Sequence, residues 1–215
     1  MVIEATARQF TDVVTTEAEL RALLGHPSEL AIQKEHDALD VHCRAFIALA
    51  PFMLLGTTDN TGRCDVSPRG DGPGFVQVLD DKTLVIPDRP GNKRFDSLRN
   101  ILAHGGVGLL FMIPGVEETL RVNGRARLIR DADVLERMAV RDKVPILAIA
   151  VEVQEAFLHC AKALKRSQLW QEGSWPEDGA LTARAQMFLD HAPRPGITVA
   201  ELEASLAESY VKNLY

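Results

Sequence analysis

Leu84-Val-Ile-Pro-Asp-Arg-Pro-Gly-Asn-Lys-Arg94 runs from an apolar strand straight into a turn carrying two adjacent cations. Phe95-Asp-Ser-Leu-Arg-Asn100 then continues it as the start of a short amphipathic helix. Backbone N–H groups at a helix start, backed by Lys93 and Arg94, favour an anion such as a phosphate. Gly91 is expected to let the backbone approach that anion, and Asn92 to cap the helix through its side-chain oxygen. The stretch is not a nucleotide-triphosphate loop, because Arg94 stands where a hydroxyl would be needed to hold magnesium. It reads as a place to bind a phosphate rather than to transfer one.

Upstream, the chain reads as helical. Thr16-Glu-Ala-Glu19 opens one helix that Gly25-His-Pro27 ends, and a second pattern covers about Leu30 to Ala50, with Leu39, Cys43, Phe46, Ile47 and Leu49 available to a core. Pro51 stops it. From Phe52 the pattern changes to strands. Phe52–Thr58, the turn Asp59-Asn-Thr-Gly62 and Cys64–Ser67 make a hairpin. Thr83–Pro87 is a third strand. Val107–Ile113 is a fourth, and its nearly continuous apolar run predicts burial on both faces.

Glu118–Ile129 shows the clearest period. Leu120, Val122, Ala126 and Leu128 alternate with Arg121, Asn123, Arg125 and Arg127, which puts a core on one face and a row of donors on the other. A short helix over Asp131–Val140 and a sixth strand from Ile146 to Val153, extendable to Phe157, follow. Beyond Cys160 the chain reads as helix over Lys162–Gln168, loop over Gly173–Gly179, and helices over Ala180–His191 and Val199–Leu214. Closely spaced strands with few crossover helices predict a mainly β, α+β fold: a six-stranded antiparallel barrel dressed with helices. One domain over 1–215 is expected, with residues 1–50 a helical extension, 51–160 the barrel and 161–215 a helical C-terminal segment.

The 215 residues carry a net charge of −6, which argues against nucleic acid as a partner and makes the basic stretches local features. Cys43, Cys64 and Cys160 form no C-x-x-C pair, and His36 and His42 lack ligand spacing, so neither a disulfide framework nor a metal is expected. With no apolar run near about 18 residues and no leader pattern, the expectation is a cytoplasmic protein without a membrane span.

Ser67-Pro-Arg-Gly-Asp71, Leu84–Arg94 and Glu118-Thr-Leu-Arg-Val-Asn-Gly-Arg-Ala126, in that order, resemble the pyridoxamine 5′-phosphate oxidase-like family of FMN-binding split barrels, over roughly Pro51–Trp170. The resemblance implies a homodimer with FMN in two clefts at the subunit interface. By the same resemblance, Asn92, Lys93, Arg94 and Ser97 hold the phosphate. Ser67, Arg69, Gly70 and Asp71 line the ring with Pro87, while Thr119, Arg121 and Asn123 offer polar side chains to its edge. A C-terminal segment containing Ser167 and Trp170 closes the cleft. Activity as an FMN-dependent oxidoreductase on a small molecule is implied; a non-catalytic binder of FMN or of another phosphorylated ligand is the alternative. The arginine- and histidine-containing tail of the vitamin-B6 oxidases is absent, so oxidation of pyridoxamine phosphate itself is not expected.

Overall fold

The computed structural model describes residues 10–215; the part of the expected N-terminal helical segment that falls on residues 1–9 lies outside them. The described residues up to Glu35 make one compact unit, and His36–Tyr215 make another. The first holds α1 (Glu17–Leu24) and α2 (Glu29–Gln33). The Thr16 side chain accepts the Glu19 N–H and Gly25 (φ 78) ends α1, as the sequence predicts.

The long second helix expected from Leu30 to Ala50 is instead broken. His36 exchanges backbone hydrogen bonds with Ala156, and Asp40 then starts α3 (Val41–Leu49) by accepting the Cys43 N–H at 2.7 Å. Cys43 and Ile47 reach the core and Phe46 packs against it, but Leu49 is 61% exposed. Its position on the helix turns it away from the sheet.

The sheet has seven strands rather than six. In chain order they are β1 (Phe52–Thr58), β2 (Cys64–Gly70), β3 (Gln77–Val78), β4 (Thr83–Pro87), β5 (Gly106–Met112), β6 (Thr119–Ile129) and β7 (Ala148–His159). The added one, β3, has only two residues, too few to show a period. Every pairing is antiparallel, in the order β2-β1-β5-β6-β7-β4-β3. Pro68 sits in β2, an edge strand where its missing N–H removes no ladder bond.

The longest ladder joins β6 to β7, with a bulge between Asn123 and Gly124. At Gly124 a Cβ would lie 2.1 Å from the Glu152 carbonyl oxygen, so the close approach of β7 admits glycine only.

One core fills the concave side. Phe111, Met53, Leu55, Leu109, Leu120, Val122 and Ile149 are fully buried there, each such side chain contributing roughly 1.5–3 kcal/mol. The expectation that Val107–Ile113 is buried on both faces fails: β5 alternates, burying Val107, Leu109 and Phe111 and leaving Gly108, Leu110 and Met112 half-buried. The doubly buried strand is β4. Leu84 and Ile86 join the main core, while Val85 packs with Leu135, Met138 and Ala148 under the short helix α5 (Ala132–Glu136).

Helix α4 (Asp96–Ala103) lies across β1, β2 and β6. It buries Ser97, Leu98 and Ile101, and its Asn100 side chain donates to Thr57 Oγ1 at 3.0 Å. After β7 come α6 (Lys162–Ser167), a single 3₁₀ turn over Glu172–Ser174, α7 (Arg184–His191) and α8 (Val199–Lys212). Both of the last helices are shorter than predicted. No helix among the described residues is long and apolar enough to cross a membrane.

Candidate functional site

β2 and β4 stand near opposite ends of the strand order, yet their C-terminal ends meet through two reciprocal ion pairs. Arg69, on β2, donates to Asp88, just past β4, at 2.8 Å. Arg89, one residue further, donates to Asp71, just past β2, at 2.7 Å. The sheet is therefore curled into a barrel, and the gap between these two ends is the split.

A cavity of about 1080 Å³ opens in this gap, slightly larger than the usual range for small-molecule sites. Five cationic side chains (Arg69, Arg89, Lys93, Arg94, Lys143) line it against three carboxylates (Asp65, Asp88, Asp96). Phe75, Pro87, Pro90, Val144, Ile146 and Leu147 supply apolar wall. Among the sequence-predicted residues, the cavity brings together Ser67, Arg69, Gly70, Pro87, Asn92, Lys93, Arg94 and Ser97.

The loop that decides the anion site is built differently from the sequence expectation. Asn92 does not cap α4. Its Oδ1 accepts the Arg94 N–H at 3.0 Å, closing a tight turn two residues on. The helix begins later, with Phe95 (φ 61) at the cap position and no side-chain cap. Gly91 does not take a positive φ, and open space surrounds it; Lys93 (φ 59) and Phe95 hold the left-handed positions instead. Such conformations are costly for residues with a Cβ and gather at binding loops.

Within the loop the cations differ. Arg94 is tied to Asp96 at 2.8 Å and remains 70% exposed; that carboxylate pushes the guanidinium above its ordinary pKa. Lys93 is exposed and has no hydrogen-bond or ion-pair partner among the described residues. Ser97 is buried and donates to Asp65 Oδ2 at 2.8 Å, so a carboxylate already sits against the first turn of α4.

Asp71 stands behind the cavity wall with its side chain 5% exposed. Burial works to raise its carboxyl. Hydrogen bonds from the Tyr215 hydroxyl, the Gly72 N–H and Arg89 outweigh that and hold it below the usual carboxylate range. Arg89 also donates to the Met138 carbonyl at 2.9 Å. Arg69 is braced by Ser67 Oγ at 2.9 Å.

The remaining predicted residues lie elsewhere. Thr119, Arg121 and Asn123 are on β6, in the middle of the sheet, and do not line the cavity. Arg121 lies 5.2 Å over the Phe157 ring. Ser167 donates to the Leu164 carbonyl, and Trp170 Nε1 donates to Val116 O at 2.9 Å. Sequence reasoning missed Asp65, the Lys143–Leu147 wall, Leu214 and Tyr215. Asp65 is on β2 beside the predicted Ser67; the others are brought in by the return of the chain after α5 and after α8, which leaves no local period to read. Among the described residues no group of three or more His, Cys, Asp or Glu side chains could hold a metal ion.

Residues 39–160, more than half of the chain, match the family model described as pyridoxamine 5′-phosphate oxidase. The fold and site thus define a split barrel of that class, and the chain belongs to the pyridoxamine 5′-phosphate oxidase family. No curated protein matches it. Among solved structures, HupZ from Group A Streptococcus is similar at 18% identity, over 55% of this chain and 92% of its own, with a TM-score of 0.45. An FMN-binding protein from Syntrophomonas wolfei is similar at 12% identity, over 54% and 83%, with a TM-score of 0.44. A NimC/NimA family protein from Clostridium acetobutylicum follows at 17% identity, over 56% and 87%, with a TM-score of 0.39.

Proposed function

We propose that this protein is an FMN-dependent oxidoreductase acting on a small molecule other than pyridoxamine phosphate, and that it works as a homodimer. The observation that carries the reading is the cavity between the ends of β2 and β4, with an unpartnered Lys93 at one end and apolar walls along its length. A phosphate requires the first and a planar ring the second, so the residues present fit FMN. Bound there, FMN supplies hydride or single-electron transfer.

The chain's own residues hold and orient it. Lys93 gives the phosphate its cation, and Arg94 flanks it with one edge held by Asp96. Asn92 fixes the turn that presents both. Ser67, Arg69 and Gly70 line the cavity and would hold the ring. Arg69 is kept in place by Ser67 and Asp88, so its outer N–H groups can meet negative charge on the ring edge without reorganising. Asp71 acts on the cavity through Arg89, as a positioning residue. Pro87 closes one wall.

Thr119, Arg121, Asn123, Ser167 and Trp170 belong, in this proposal, to the cavity of the partner copy. The support is the outward face of β1 and β5, where Leu54, Leu110 and Met112 are apolar and only half-buried. Arg121 pairs with Leu110 and Asn123 with Gly108 in the same ladder, so the apolar face and the polar donors are neighbours. A second copy laid on that face covers the first and uses the second.

Purified protein incubated with FMN and passed through gel filtration is expected to keep the two visible flavin bands and to release FMN on denaturation, identified by mass. Colourless protein after that treatment overturns the cofactor. Sedimentation is expected to give a dimer at micromolar concentration; a stable monomer there overturns the shared cavity.

A further inference from the structure

Tyr215 lies in a cage that the flavoprotein reading uses only through Asp71 and Arg89, leaving Arg141, Lys143 and the tyrosine itself without a role. Its hydroxyl donates to Asp71 Oδ1 at 2.7 Å. The Arg89 guanidinium sits 5.7 Å from its ring centroid and that of Arg141 sits 5.2 Å away. The Lys143 ammonium donates to its main-chain oxygen. Arg89, Lys143 and Tyr215 all line the large cavity.

The cage is held by a strained turn. Val140 and Lys143 exchange backbone hydrogen bonds, and the two residues between them, Arg141 (φ 50) and Asp142 (φ 61), are both left-handed without being glycine. This is the two-residue hairpin geometry that ordinarily calls for Asn-Gly. Its effect is to send Arg141 over the Tyr215 ring and Lys143 to the main-chain oxygen of the same residue. Left-handed residues with a Cβ are costly and gather at functional segments, and Lys143, the next residue, lines the cavity.

Each component recognises a different part of an aromatic molecule. Guanidinium groups against a ring select a π-face. A buried carboxylate paired with Arg89 at 2.7 Å selects a hydroxyl donor. A lysine beyond the ring selects an anionic or carbonyl oxygen. Tyr215 carries all three features and satisfies them from within the chain.

We propose that Asp71, Arg89, Arg141 and Lys143 form the subsite for a hydroxyaromatic ring bearing a carboxylate, and that Tyr215 is its resident occupant, displaced when such a substrate binds. The inference deepens the oxidoreductase reading and rests on it for the substrate role. The binding chemistry itself needs no flavin.

The test uses the full chain and 3-(4-hydroxyphenyl)propionate, which reproduces the ring and hydroxyl of Tyr215 and offers Lys143 an anionic oxygen in place of the main-chain oxygen. Titration calorimetry is expected to give at least tenfold tighter binding to Tyr215→Ala than to the unaltered protein. In the Tyr215→Ala background, Asp71→Asn should lose about tenfold, and 3-cyclohexylpropionate should bind at least tenfold more weakly than the phenolic probe. Equal affinity for the altered and unaltered proteins overturns the proposal, as does equal affinity for the two probes. If Tyr215→Ala does not fold, Tyr215→Phe, which frees Asp71 alone, is expected to bind the phenolic probe at least threefold more tightly than the unaltered protein. No gain there overturns it. The flavin content of the same samples, read by absorbance, reports on the cofactor separately: tight probe binding without flavin leaves the subsite standing and removes the cofactor, and the reverse result removes the subsite alone.

Discussion

Arg89 and Arg127 are both cations next to apolar strand residues in the sequence, Arg89 just past β4 and Arg127 within β6, but the fold treats them in opposite ways. Arg89 is 17% exposed and meets Asp71 at 2.7 Å, with the Asp71 side chain at 5%. Arg127 is 81% exposed and reaches Glu152 only at 3.7 Å, with that partner at 62%. In the first region water has been removed from a charge pair, which is worthwhile only where geometry and further hydrogen bonds compensate. In the second the charges remain solvated and contribute little. The position of a cation relative to the split of the barrel decides whether it is part of a site.

The sharpest way to break this comparison is Arg89→Ala. It leaves the Asp71 carboxylate buried with one cation fewer and is expected to cost about 3 kcal/mol of stability, near the low end for opening a buried pair. Urea unfolding should show a lower midpoint at an unchanged slope. The pH dependence carries its own sign. Asp71 is held below its ordinary value of 3.8, so its contribution is fully present above that pH and lost as pH falls through the folded value. The Tyr215 hydroxyl and the Gly72 N–H hold that carboxyl more strongly than Arg89 does, so Arg89→Ala should flatten the acid limb of the stability curve only in part. A loss below about 1 kcal/mol would place Arg89 with the solvated arginines.

Next in size is flavin binding. Replacing Lys93 and Arg94 together by alanine removes the unpartnered cation and its neighbour, and FMN affinity is expected to fall at least about 100-fold. The single Lys93→Ala change should account for most of that, because Arg94 already spends part of its charge on Asp96. Fluorescence titration with FMN separates the two. If Arg94→Ala alone costs more, the phosphate lies on the helix side of the loop.

The periodic parts of this molecule are legible in its sequence and the returning parts are not. The bounds of β1 and the alternation of β6 follow from the sequence because each buries a face with period two, and those of β4 because a short apolar run ends at Pro87. The apolar run of Val107–Ile113 predicts burial on both faces, yet that burial belongs to β4, since such a run does not say which strand another layer will cover. Here α5 covers Val85 from the far side. In the site, the link between Ser67–Gly70 and the Lys93–Arg94 turn is legible as two strand ends leading to one place. The Asn92 cap is not, because an Asx turn and a helix cap use the same side-chain oxygen and differ only in where the helix starts. Arg141, Lys143 and Tyr215 give no signal: they meet through a strained turn and a long-range return. Arg141 and Lys143 also supply cations beyond Lys93 and Arg94, which composition alone does not locate.

The smallest effects test whether the outward face of β6 serves a second copy. Arg121 and Arg127 are on the same strand and face, but Arg121 is half-buried over Phe157 at 5.2 Å while Arg127 stands in solvent. Arg127→Ala should change stability by no more than about 0.5 kcal/mol and leave FMN affinity untouched. Arg121→Ala loses a cation–π contact worth roughly 0.5–1 kcal/mol, and in a shared cavity it also loses a contact to the ligand of the partner. The expected outcome is a fall of about three- to tenfold in FMN affinity for Arg121→Ala against none for Arg127→Ala, measured at protein concentrations where sedimentation shows the dimer intact. Equal effects on the two would mean that this face is solvated throughout, and that the cavity between β2 and β4 is complete within one chain.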